Sequence, residues 1–287
     1  MSEALLTVVV CTHQRPADLE RCLGGLARLE TPVEVVVVDS ASDPPCRSVV
    51  DQFSDSLPTL TYHYEPTPGL SRARNAGLER AQTELVAFVD DDAVVTPEWA
   101  ERIVAPFDDP IVACVGGACV PAFEAERPAW LSDRLLQYAG ITRFHEAREA
   151  RATSEYPFGA NVVFRRDALR EVGGFSERLG RTGRSLLSGE EAVAIDRLRA
   201  AGRRVRLEPS AVVFHTVTAE RCTSRYYWRR LWWQGVTRAR AAPTGLLTVR
   251  LLAALPVRLA LWALTRDRVH LYRAAETTGY VRELLAP

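Results

Sequence analysis

Leu85-Val86-Ala87-Phe88-Val89-Asp90-Asp91-Asp92-Ala93 decides how the rest of this 287-residue chain is read. Five apolar residues, short and β-prone, read as a buried strand. Three carboxylates at its carboxyl end repel one another and call for compensating charge. In a strand, Asp90 and Asp92 point to the same side. That suits a hard divalent cation, Mn²⁺ or Mg²⁺, which keeps water and takes further oxygens from a phosphate ligand. The alternative is a solvated acidic turn in which Asp92 acts as a local cap. Downstream, Thr96-Pro97-Glu98-Trp99 reads as a helix start, with Thr96 as the cap and Pro97 in the first turn.

Upstream of the triplet, strands and helices alternate. Leu5 to Cys11 reads as a first strand, and Pro16 to Leu29 as a helix with apolar spacing at Leu19, Cys22, Leu23 and Leu26. Val33 to Val38 is a second strand, ending at Asp39-Ser40, and Leu60 to Tyr64 a third. Gly69 to Gln82 has helical character. Strands apolar on both faces and separated by helices imply a parallel sheet covered on both sides. Ligands of such sheets bind beyond the carboxyl ends of the strands. Thr12, Asp39 and Asp90 to Asp92 all fall there.

Composition is that of a globular protein, with 47% hydrophobic and 25% charged residues. The net charge is zero but unevenly spread. From Arg197 onward there are 17 arginines against 5 acidic residues, and the preceding part carries the compensating negative excess. The acidic part suits a metal site, and the basic tail suits phosphates or an anionic membrane surface. Six cysteines without a CxxC pair read as buried thiols in a reducing cytoplasm. Leu5 to Val10 is too short and lacks the basic leader of a secretory signal.

Other residues carry chemistry in context. Asp39 is either a hydrogen-bond acceptor for a nucleobase or ribose, or an Asp-Ser turn cap. Arg72 and Arg74 cannot share a helix face, and Arg74, beside Asn75, is the donor fork expected to meet phosphate or ribose oxygens. The irregular stretch Pro121 to Pro157 has the length of a functional loop. The glycine-rich run Gly180 to Gly189 precedes a helix opening with Glu190-Glu191. Those acids either serve the helix dipole or supply a general base. His215, ending a β-like run from Val212, is either a core residue or a neutral imidazole ligand.

Taken together, these residues resemble the family 2 glycosyltransferases of the GT-A fold, over roughly residues 5 to 240. The series runs from Thr12 and Arg15-Pro16 through Val38-Asp39-Ser40 and Gly69-Leu70-Ser71-Arg72-Ala73-Arg74-Asn75-Ala76-Gly77 to the Asp triplet. It continues through Gly159-Ala160-Asn161, Arg165-Arg166, Gly173-Gly174-Phe175, Gly189-Glu190-Glu191 and His215. The resemblance implies a metal-dependent enzyme that takes a UDP-, dTDP- or GDP-linked sugar and inverts the anomeric carbon. Thr12, Arg15, Asp39, Arg74, Asn75, Asp90 and Asp91 would then face the donor. Asp39 would meet the nucleobase and Asp90 the ribose or sugar. Asp92, with Asp90 and His215, would hold the cation. The family's usual Glu-Asp pair is Glu190-Glu191 here. Glu191 inherits the role of base by position, and Glu190 is the alternative. The Gln-x-x-Arg-Trp motif of processive synthases is missing, so single-sugar transfer is expected.

The expected organisation is a GT-A catalytic domain over residues 1–220, a Rossmann-like, mostly parallel sheet covered by helices, followed by a basic, amphipathic helical extension over 221–287. In the extension, Arg250, Pro256 and Arg258 argue against a spanning helix. Arg250, Arg258 and Arg266 recur every eight residues, as in a helix lying in a membrane interface. Packing on the catalytic domain or on a second subunit of a homodimer is the other option. The expectation is a cytoplasmic enzyme, peripheral on the inner face of the membrane, with a hydroxyl acceptor that a lipid carrier could bear and no nucleic-acid partner. Two further readings are a sugar-nucleotide nucleotidyltransferase, which lacks its glycine-rich loop here, and a non-catalytic nucleotide-binding scaffold.

Overall fold

The sheet begins as the alternation of apolar runs requires. A computed structural model describes residues 5–151, 156–241 and 245–286. Ala152 to Glu155, inside the irregular stretch named above, lie outside the described residues. In chain order the elements are β1 (Leu6–Thr12), α1 (Pro16–Leu26), β2 (Glu34–Ser40), α2 (Arg47–Asp51), β3 (Leu60–Glu65), α3 (Leu70–Arg80), β4 (Leu85–Asp90), β5 (Ala93–Val95) and α4 (Trp99–Val104). Then come β6 (Val112–Phe123), α5 (Asp133–Leu136), β7 (Arg148–Glu149), β8 (Asn161–Arg165), α6 (Arg166–Glu171), α7 (Glu190–Ala200) and β9 (Arg204–Val217). The last elements are α8 (Ser224–Ala241), α9 (Gly245–Thr265) and α10 (Arg268–Leu284).

The strands form one sheet in the order β3-β2-β1-β4-β8-β6-β9-β5, with β7 also on β9. β1 to β4 pair in parallel, as the two-faced apolar runs of β1, β2 and β4 imply, with the half-exposed β3 at the edge. From β8 onward the pairing turns antiparallel. β4 therefore sits at the change of direction. Its side chains alternate between two cores. Leu85, Ala87 and Val89 join Leu6, Val8 and Val10 of β1 and Leu19, Leu23 and Leu26 of α1 on one face. Val86 and Phe88 join Val9, Ala73, Leu78, Phe164 and Phe175 on the other. α3 lies close on that second face, because Gly77 has no side chain. A Cβ there would stand 2.3 Å from Val9 Cγ1.

Two local expectations change. α4 begins at Trp99 after Glu98, and no side chain caps it; Thr96 instead closes a backbone turn, its carbonyl accepting from Trp99 N at 3.0 Å. The residues after the triplet form β5, a three-residue strand paired antiparallel with β9, Ala93 opposite His215.

The chain divides into two compact units. The sheet unit comprises Met1–Ala122, Gly140–Glu177 and Glu190–Thr216. The helical unit takes Phe123–Ala139, Arg178–Gly189 and Val217–Pro287, so two stretches before residue 220 belong to it. Within the helical unit, α8 and α10 approach backbone to backbone. A Cβ on Gly235 would lie 2.0 Å from Glu276 O, and one on Gly279 2.0 Å from Trp232 O. Tyr227 stacks on Tyr272, with ring centroids 6.0 Å apart.

The arginine face expected on α9 does not form. Arg258 turns inward and donates to Arg273 O at 2.9 Å and Thr277 Oγ1 at 3.0 Å, both on α10. Arg266 follows the helix at φ +57° and lies over the Trp262 ring. Apart from Arg250, the large side chains that α9 exposes are apolar: Val249, Leu252, Val257, Leu259, Leu261 and Leu264. Over Thr248–Thr265 its mean hydropathy is 1.4, and only 6% of that window is buried. By length and composition alone this helix is long and apolar enough to cross a membrane, Pro256 and its arginines included.

Candidate functional site

The pleat of β4 decides where the triplet points. Val86 and Phe88 face α3, so Asp90 follows them to the α3 side. There Arg74, 3% exposed, donates from Nη2 to Asp90 Oδ1 at 3.0 Å and from Nη1 to Glu190 Oε1 at 2.5 Å. Its guanidinium also lies 5.7 Å from the centre of the Phe175 ring. Burial alone would favour loss of its charge. The carboxylates of Glu190, Asp90 and Glu191 more than offset this and hold Arg74 charged. Of the two arginines at the start of α3, Arg72 instead pairs with exposed Glu177.

Asp91 and Asp92 close the other side. Asp91 accepts from Thr12 Oγ1 at 2.8 Å and from Arg15 Nη1 at 3.1 Å. The same Arg15 nitrogen lies 3.3 Å from Asp92 Oδ2. Burial, then the neighbouring Asp92 charge, push the Asp91 carboxyl up to about 7 against Arg15 and Thr12. Asp92 Oδ1 is 3.0 Å from His215 Nε2. Its backbone oxygen accepts from Thr216 N at 2.8 Å, which brings the triplet against the end of β9.

Asp90, Asp92 and His215 thus converge, with one ligand atom from each lying within 4.8 Å of the others. His215 is buried, and its Nδ1 has no hydrogen-bond partner among the described residues. Two carboxylates and an imidazole form a donor set that a divalent cation fits. Gly140, at φ +85°, makes room for the imidazole; a Cβ there would stand 2.9 Å from His215 Cε1.

The glutamates at the start of α7 divide. Glu190 is buried and bonded to Arg74, and its second oxygen has no partner. Burial and then Glu191 push it up to about 7 against the pull of Arg74. Glu191 is half-buried, and its Oε2 also lacks a partner.

Two expected donor contacts have other partners. Asp39 is fully buried and accepts from Ser42 N at 3.2 Å, Cys46 N at 2.7 Å and the Tyr62 hydroxyl at 2.9 Å. This is the turn-cap arrangement. Asn75 donates to Phe175 O and accepts from Phe175 N, both at 2.9 Å, so its amide fastens the turn after Gly174. In the sequence Gly159 reads only as part of a motif, without a role of its own, yet a Cβ there would lie 2.3 Å from Arg74 Nη2. A glycine in the run Phe158-Gly159-Ala160-Asn161, just ahead of a strand, was the available signal.

Comparison with known proteins bears on the family and the fold. A family profile described as "Glycosyl transferase family 2" matches residues 7–173. The glucosyl-dolichyl phosphate glucuronosyltransferase of Haloferax volcanii is 30% identical over 241 residues, covering 81% of this chain and 76% of that protein. The pre-mycofactocin glycosyltransferase of Mycobacterium tuberculosis is 32% identical over 211 residues, covering 73% of this chain but 42% of that longer protein. Among solved structures, the mannosyltransferase PcManGT from Pyrobaculum calidifontis, in complex with GDP-Man and Mn²⁺, superposes with a TM-score of 0.69 at 21% identity. It covers 98% of this chain and 88% of its own.

Proposed function

The chain belongs to the family 2 glycosyltransferases, and from that premise we propose that it moves one sugar from a nucleoside-diphosphate donor to an acceptor hydroxyl by a single displacement with inversion. The observation that carries the proposal is the chain of contacts Asp90–Arg74–Glu190, which joins the acidic strand end to the start of α7. This displacement needs one carboxylate base for the acceptor proton and positive charge beside the departing diphosphate.

Asp90, Asp92 and His215 would hold the cation, and the nitrogen donor favours Mn²⁺ over Mg²⁺. When bound, that ion neutralises the charge developing on the departing diphosphate. Arg15, at the open edge of the site with its side chain 40% exposed, is suited to add positive charge there. Thr12 and Asp91 hold Arg15 in register. Asp39 shapes the turn that would receive the nucleobase, with one oxygen bonded only once. Arg74 and Asn75 sit behind this surface rather than on it.

A base must take the acceptor proton as the hydroxyl attacks. Glu190 Oε1 is bonded to Arg74, which leaves Glu191 as the freer carboxylate. Glu191→Gln is expected to keep donor and metal binding while losing about 10²–10⁴ in transfer rate. Glu190→Gln is the comparison, since neighbours on a helix stand about 100° apart and do not reach one hydroxyl together. Loss only at Glu190 would move the base by one residue, and full activity in both would end the mechanism. Thermal shift against UDP-, dTDP- and GDP-sugars with Mn²⁺ identifies the donor.

The acceptor is proposed to be lipid-linked. The Haloferax relative, named for a dolichyl phosphate substrate, and the exposed apolar face of α9 both support this. The enzyme would then work on the cytoplasmic side of an anionic membrane, held by α9 and α10.

A further inference from the structure

We infer that Arg74, seated on Gly159, is the positioning residue that sets Asp90 for the cation and withholds Glu190 from the acceptor. The inference rests on the metal assignment proposed above. At 3% exposure Arg74 is enclosed by protein groups. Its four neighbours define its place. Asp90 Oδ1 lies at 3.0 Å on one side and Glu190 Oε1 at 2.5 Å on another. The Phe175 ring lies on a third. Against the guanidinium lies Gly159, where any Cβ would stand 2.3 Å from Nη2 and 2.7 Å from Nη1.

A planar guanidinium donates to two carboxylates in fixed directions, and an ammonium does not. Fixing Asp90 through Oδ1 leaves its other oxygen as the one available to the cation group. Fixing Glu190 through Oε1 keeps that carboxylate on the α3 side. Glu191, one residue later on α7, is not held this way by Arg74. The pair of glutamates is thereby sorted by one arginine 116 residues away in sequence. Asn75 serves the same arrangement by clasping the backbone of Phe175.

Simple electrostatics makes the opposite forecast for metal binding. A cation beside Asp90 repels a second cation, so removing Arg74 would tighten Mn²⁺ binding if charge were its only effect. Positioning forecasts weaker binding. The test is Mn²⁺ alone, titrated into the full chain and followed by electron paramagnetic resonance, with thermal unfolding read beside it. Gly159→Ala displaces the guanidinium without altering any charge, and Arg74→Lys keeps the charge but loses the fork. Both are expected to weaken Mn²⁺ binding by about 10–100-fold, the range for groups that orient a metal ligand.

Folded variants with wild-type or tighter Mn²⁺ affinity would overturn the inference, even if their unfolding temperatures fall, because a merely structural arginine would act on stability alone. Should Gly159→Ala not fold, Arg74→Met with Glu190→Gln removes the buried pair together and needs no room for a guanidinium. Weakened Mn²⁺ binding there supports the inference, and unchanged binding overturns it. A wild-type protein that binds no Mn²⁺ would overturn the metal assignment itself, a result distinct from intact binding that the variants leave unmoved.

Discussion

At the scale of single residues, the site is a balance of buried charges. Asp91, Asp92, Glu190 and Arg74 are all buried, and a buried charge survives only when paired. Arg74 and Arg15 supply two positive groups against the triplet and Glu190, which leaves negative charge over on the carboxylates that flank the His215 imidazole. Asp92→Asn is therefore expected to weaken Mn²⁺ binding by at least about tenfold while raising the unfolding temperature, because relief of like-charge repulsion at a metal site stabilises the metal-free fold. Calorimetric titration with Mn²⁺ and a thermal scan read both effects. Equal Mn²⁺ affinity would remove Asp92 from the ligand set. The triplet and His215 were legible in the sequence because each ends an apolar run. The Arg74–Glu190 contact was not, since nothing local marks which of two adjacent glutamates faces an arginine far upstream. Asp39 was read with two meanings, and its contacts with Ser42, Cys46 and Tyr62 show that the turn needs it whether or not a nucleobase does.

Among the elements, β8 deserves its central place for a polar reason as much as an apolar one. Asn161, fully buried at its start, accepts from Trp99 Nε1 and donates to Ala118 O and Ala211 O, all at 2.9 Å. One amide thus ties α4, β6 and β9 to β8. Asn161→Leu keeps the volume but leaves an indole N–H and two carbonyls without partners. Each buried group left unpaired costs about 1–3 kcal/mol, so the variant should lose at least about 2 kcal/mol in urea unfolding. A loss below about 0.5 kcal/mol would mean that water or a shifted backbone replaces the amide. The parallel strands β1, β2 and β4 were legible because both of their faces are buried and their runs are apolar, whereas β3, half-exposed at the sheet edge, was legible only from its alternating Leu60, Tyr62 and Tyr64. β5 was hidden: three residues carry no periodicity, and the strand exists only through its pairing with β9. Most of β9 was hidden too, since Arg204 to Pro209 mixes charge with apolar residues, and only Val212 to His215 reads as a strand.

For the molecule as a whole, the unequal charge along the chain maps onto function less simply than the sequence suggests. The arginines of the tail do not line one face of α9. The surface that α9 offers is a hydrophobic one, with Val257 58% and Leu264 81% exposed. Burying one such side chain is worth about 1.5–3 kcal/mol, so Val257→Asp with Leu264→Asp should weaken binding to phosphatidylglycerol vesicles by at least about tenfold. Sedimentation with the vesicles measures this, and unchanged binding would remove α9 from the membrane contact. The arginine spacing of eight misled because helix geometry says where side chains start, while Arg258 is drawn inward by the carbonyl of Arg273 and the hydroxyl of Thr277. The crossing of α8 and α10 carries a different kind of consequence. What a side chain at Gly235 or Gly279 would strike is main chain, the oxygens of Glu276 and Trp232. A clash with a side chain can be relieved by a second mutation, but peptide oxygens are the same whatever residue bears them. The two glycines are thus closed to compensated drift, and descendants of this sequence would keep both or abandon the crossing altogether.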